Sequence, residues 1–234
     1  MEKTLQNRIV YFFIFLLFIS FGGFYKTYLI KFPDFEGFNS AHHFHGAVML
    51  IWILMLIAQP IFIRTKNLEW HRLVGKASYL VFPLLVLSFF LVARAGYLRN
   101  IKTISEADAL AGMTNGIPDM IFISILYGLG IYYKKKTTFH LRFFAAIGLM
   151  IMGPGLGRFL IVFCSLPFQI AIPIMIGLTS GVALIWMIID IKNKKSFFPM
   201  AVFLLIGFMA MFIGVNNHSL WWQSFAKWFA HTFF

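Results

Sequence analysis

The chain has 234 residues, 60% of them hydrophobic and 19% aromatic, with only 12% charged and a net charge of +12. A soluble domain is closer to about half apolar and a quarter charged; this surplus has no room inside one globule of this size, so the solvent implied is lipid. The basic residues form short clusters between apolar runs, which excludes a nucleic-acid surface and is how membrane topology is written, and the lone Cys164 excludes a disulfide framework or a cysteine-rich metal site.

The first apolar run follows a basic start, as in a signal peptide. It offers only the weak Ser20-Phe21-Gly22 as a cleavage site, so it is read as an uncleaved span over residues 9–30. Six further runs are long enough to cross a bilayer at about 20 residues each: 41–63, 77–98, 117–133, 143–163, 168–189 and 197–215. Ser40 is a candidate N-cap of the second span. Between the third and fourth spans, Ser105 followed by Asp108 reads as the start of a small helix. After the seventh, Trp221, Trp222, Phe225, Trp228 and Phe229 recur at helical spacing with Gln223, Lys227 and His231 between them. That is the pattern of an amphipathic helix lying in the outer interface. The fold class expected is therefore all-α: a seven-helix transmembrane domain over 1–215 and an interfacial helix in 216–234.

Lysine and arginine counts orient the spans. Lys3 and Arg8, then Arg64, Lys66, Arg72 and Lys76, then Lys134, Lys135, Lys136 and Arg142, then Lys192, Lys194 and Lys195 mark one side. The alternate connections are poorer in net cations: Lys31 with Asp34 and Glu36, then Arg99 and Lys102 with Glu106 and Asp108, then CSLP with no charge. The N-terminus is expected inside and the C-terminus outside, as seven spans require.

The stretch NSAHHFHG opens the second span with three histidines. His42 and His45 share a helix face with Met49, Trp52, Leu56 and Gln59, and a polar stripe of that kind is expected to look into the bundle. His43 points elsewhere. Arg94, Asp119, Arg158 and His218 reach the same leaflet. Arg158 stands about 15 residues into the fifth span, roughly 22 Å from its inner end. Its expected partner is Asp119 or a bound anion. It follows GPGLG, where Gly153 and Gly157 permit close helix approach and Pro154 bends the span.

Neutral imidazoles are good ligands for zinc, copper or haem iron. His42, His45 and His218 are the candidate metal ligands, for haem b or a divalent transition metal. Arg94, Arg158 and Asp119 would contact a cofactor or a quinone. The competing readings are binding or transport of a small anionic or lipid-like molecule through Arg94 and Arg158, and a subunit of a larger membrane-protein complex. No HExxH, CxxCH, serine elbow or carboxylate pair is present.

Two turns look alike, EWHRLVGKASYLVFP at 69–83 and KKKTTFHLRFFAAIGLMIMGP at 134–154. They suggest either ordinary basic, aromatic anchors or a duplicated helical hairpin placing His71 and His140 on one side. The run from His45-Gly46 through Gln59-Pro60 and Arg64 to His71-Arg72, Gly75, Ser78 and Tyr79 resembles a group of uncharacterised bacterial predicted membrane proteins. That likeness covers about 40 residues and implies a bacterial cytoplasmic-membrane location. A more distant likeness to helical membrane proteins of haem metabolism adds weight to haem.

Overall fold

A computed structural model describes residues 2–234, with side chains from Arg8 onward. Lys3, one of the N-terminal charges used above, lies outside the residues whose side chains are described. The described chain is helical with no strand. Its helices are α1 (Glu2–Tyr25), α2 (Ser40–Arg64), α3 (Leu68–Asn100), α4 (Glu106–Gly112), α5 (Ile117–Tyr132), α6 (Thr137–Val162), α7 (Phe168–Lys192), α8 (Phe198–Val215) and α9 (Leu220–Phe233). A single 3-10 turn, Leu29–Lys31, follows α1. Seven of them are long and apolar enough to cross a membrane, α4 and α5 counting as one stretch. Their outward faces are apolar: Phe18 is 70%, Leu80 69% and Phe208 69% exposed. Surface of that kind is a liability in water and the normal condition against hydrocarbon.

Helix limits follow capping chemistry more closely than hydropathy does. The third helix begins nine residues before its apolar stretch, because the Asn67 side chain accepts from the Trp70 N–H and starts the helix while the residues are still polar. At 33 residues it is about 50 Å long, well beyond the hydrocarbon thickness. For α2 the cap is Asn39 rather than the expected Ser40: its Oδ1 accepts from the His42 N–H, and the His42 ring returns to the Asn39 backbone. Ser105 caps α4 as expected, accepting from Asp108 N–H at 3.1 Å.

The spans pack chiefly as α2 on α3, α1 on α6, α5 on α6 and α7 on α8, with α6 buried at the centre. Two ends can be told apart. The hairpin end carries the short α2–α3 and α5–α6 turns; the cap end carries α4 and α9. In the middle, Trp52, Phe82 and Tyr127 pack together, with Phe82 and Tyr127 stacked 3.8 Å apart and the Tyr127 hydroxyl 2.9 Å from Ser78 Oγ. Around α6 the glycines divide the work. Gly155 meets the α1 backbone at Ile19 and Ser20, and Gly23 of α1 meets Gly155 in return. Gly153 and Gly157, expected to admit a neighbouring helix, instead receive the Met175 side chain of α7. The helix runs unbroken through Pro154.

The last helix is docked on α4. Trp222, only 2% exposed, donates its Nε1–H to the Leu110 carbonyl at 3.0 Å; Gln223 donates to the Ala107 carbonyl and Lys227 pairs with Glu106 at 3.0 Å. Trp222→Phe is expected to lower stability by about 1 kcal/mol, because it removes the buried hydrogen bond between α9 and α4 while the Leu110 carbonyl keeps the Met113 N–H. Thermal unfolding of the purified protein checks this, and a midpoint equal to the parent's contradicts it.

Candidate functional site

The histidine-bearing face of α2 does look into the bundle. Trp52 and Leu56 are buried, Met49 packs against the core, and Gln59 at its far end donates to the His71 carbonyl at 3.2 Å. His45 Nδ1 lies 2.9 Å from Ser88 Oγ, a fully buried hydroxyl on α3, and its ring meets Phe89 edge-on at 4.8 Å. His42 Nδ1 lies 2.7 Å from Asn39 Oδ1, and its ring stands against Phe38. His43 turns the other way, hydrogen-bonding with the Tyr28 hydroxyl at 2.5 Å inside a cluster with Phe35. Burial raises the Tyr28 hydroxyl above its ordinary pKa, so it stays protonated at neutral pH.

The other expected residues fall into separate places. Arg158 makes no ion pair with Asp119 or any other carboxylate among the described residues. Its guanidinium lies 4.2 Å from the centre of the Phe24 ring and donates to the Pro154 carbonyl at 3.3 Å. The reason is length: α6 starts at Thr137, six residues before the expected span. Arg158 therefore sits roughly 32 Å along the helix, in its last turns. The Asp119 carboxylate, in the first turn of α5, has no hydrogen-bond or ion-pair partner among the described residues. His218 is 57% exposed and lies 3.7 Å from Asp108, beside α4 rather than beside His42 and His45. No group of three His, Cys, Asp or Glu side chains among the described residues stands close enough to hold a metal ion.

Arg94 lines a groove of about 680 Å³ between the start of α2 and the end of α3. Asn39 and Ser40 form one wall; Arg94, Arg99 and Lys102 form the other, with Phe44 and Leu91 also lining it. Arg94 donates to the terminal carboxyl oxygen of Phe234 at 3.2 Å, whereas neither Arg99 nor Lys102 has a carboxylate partner among the described residues. Three cations beside an apolar wall, two of them without a counter-ion, suit a molecule with an anionic head and an apolar body. Arg99 and Lys102 count only as connection charges in the sequence. Their contribution to a site depends on α3 carrying them back beside Asn39, which no local pattern announces.

A second group escaped the sequence entirely. Arg142 and Asp190, each 2% exposed, are joined by two hydrogen bonds of 2.5 Å at the hairpin end, and Arg142 also donates to the Thr138 carbonyl. Arg142 reads as a topogenic loop charge, yet it lies inside α6. No protein-family model, curated protein or solved structure matches the chain.

Proposed function

We propose that the chain is a seven-span protein of the bacterial cytoplasmic membrane that binds a small anionic, lipid-like molecule in the groove between α2 and α3. The hairpin end faces the cytoplasm in this reading, in keeping with the lysines and arginines gathered in its connections. The cap end faces outward, with α9 at the outer interface, where Trp221 and Trp228 are exposed. The observation that carries the reading is the groove itself: Arg94, Arg99 and Lys102, with no Asp or Glu paired to any of them, beside Phe44 and Leu91.

The redox reading of the outer histidines is less well supported. It asks for His42, His45 and His218 to converge, and His218 stands with Asp108 instead. The anionic reading is supported by Arg99 and Lys102, which line the groove with no carboxylate partner among the described residues.

Removing the three cations tests it. Each basic group near a membrane surface is worth about 1 kcal/mol toward an anionic lipid, so Arg94→Gln, Arg99→Gln and Lys102→Gln together should weaken retention by roughly 100-fold. Native mass spectrometry of detergent-purified protein, offered phosphatidylglycerol or phosphatidylcholine, reads this directly. Equal retention by parent and triple variant, or equal retention of the two lipids by the parent, would overturn the proposal.

A further inference from the structure

The groove between α2 and α3 has a polar mouth and an apolar floor, and both walls share that gradient. α2 runs inward from the cap end, so Ser40 stands at the mouth and Phe44 about one turn deeper. α3 runs the other way, so Leu91 lies deepest, Arg94 above it, and Arg99 and Lys102 at the mouth. The Lys102 N–H donates to the Arg99 carbonyl at 3.3 Å, so both cations leave the same turn of chain. No carboxylate side chain lines the groove among the described residues. Glu106 and Asp108, the next acidic residues along the chain, are engaged with Lys227 and His218.

The other lip of the mouth is the start of α2. The first backbone N–H groups of a helix have no partner inside it. Here Asn39 Oδ1 accepts from the His42 N–H, which leaves the Ser40 and Ala41 N–H groups without an acceptor among the described residues. Both residues line the groove. Two N–H groups on one wall and two cations without a counter-ion on the other therefore border one space of about 680 Å³. Donors of these two kinds, brought together, suit an oxyanion.

The donor set also selects the oxyanion. A phosphodiester or a carboxylate brings a single charge and a pair of free oxygens. A phosphomonoester brings a charge of about −1.5 to −2 and three acceptor oxygens. Only the last has enough charge for both Arg99 and Lys102 and an oxygen left over for the α2 N-terminus. The floor, with Phe44 and Leu91, takes an apolar chain rather than more head.

We propose that the groove selects a lipid phosphomonoester, its phosphate held between the α2 N-terminus and the Arg99–Lys102 turn and its chain directed toward Phe44 and Leu91. This rests on the reading of the groove as a site for an anionic lipid. Native mass spectrometry of the full chain in detergent, with phosphatidate and phosphatidylglycerol of the same acyl chains, is expected to show phosphatidate retained roughly tenfold more tightly. Proline is accepted at the first position of a helix, and Asn39 before it already has extended backbone (φ −121°, ψ 176°), so Ser40→Pro removes one N–H without breaking α2. That variant should lose most of the preference, and Ser40→Ala, which keeps the N–H, much less. Glycerol 3-phosphate at the concentration of the lipid should not displace phosphatidate, because it has the head without the chain. Equal retention of the two lipids by the parent would overturn the proposal; if Arg94→Gln, Arg99→Gln and Lys102→Gln together still weaken both, the anionic-lipid reading outlives it. An undiminished preference in Ser40→Pro, or displacement by glycerol 3-phosphate, overturns it as well.

Discussion

Asp190→Ala is expected to destabilise the protein by about 3–5 kcal/mol, because it leaves the Arg142 guanidinium buried without a counter-ion. Both groups are 2% exposed, so water cannot take over the lost partner. The remaining contacts of Arg142 are the Thr138 carbonyl and the face of Trp186, with its guanidinium carbon 6.0 Å from the ring centre. Neither neutralises a charge. For a chain of this size that loss corresponds to a fall of roughly 6–20 °C in the unfolding midpoint. The double variant Arg142→Met with Asp190→Leu removes both charges, and it should recover most of the loss, since a well-packed apolar pair is often as good as a buried ion pair. Thermal unfolding of the three proteins in one detergent decides. If the single variant melts within a degree of the parent, the pair is not the clamp between α6 and α7 that its geometry describes.

The second large effect is expected at the crossing of α1 and α6. A side chain on Gly155 would begin 3.0 Å from the Ile19 carbonyl oxygen and 3.0 Å from the Ser20 Cα, and one on Gly23 would run into the Gly155 backbone. Backbone cannot swing aside as a side-chain tip can, so the whole of α1 must move. Gly155→Leu should therefore cost about 3 kcal/mol, the upper end for overpacking in a filled core. Gly128, in α5, has nothing within 4 Å of an added Cβ, so Gly128→Ala should be neutral or slightly stabilising through its better helix propensity. The pair separates a packing effect from a propensity effect. Equal unfolding midpoints for the two variants would show that the α1–α6 contact contributes nothing special.

Much of the architecture is legible in the sequence because hydropathy and capping are local. Six of the seven apolar runs align with their helices to within a turn or two at their ends. The run at 77–98 instead lies inside a helix that starts at Leu68, because hydropathy counting stops at charges while backbone hydrogen bonding continues through them. The inward stripe of α2 was equally readable, since spacing alone puts His45, Trp52 and Gln59 on one face. The α9 helix was readable as amphipathic; that one of its faces binds α4 through Trp222 was not, because Leu110 lies 112 residues away.

What the sequence determined by itself was the number of long apolar helices, most of their limits to within two turns and the inward face of α2. Each follows from side chains that are neighbours along the chain. Tertiary structure alone decided which polar groups meet. It set Arg142 against Asp190, Arg94 and Arg99 beside Asn39, and His218 on Asp108, while leaving Arg158 without Asp119. The physical reason is that a charge in an apolar setting settles on whatever partner the packing of helices brings within a few ångströms. That packing is set by glycines, side-chain volumes and helix lengths, which no stretch of one helix contains.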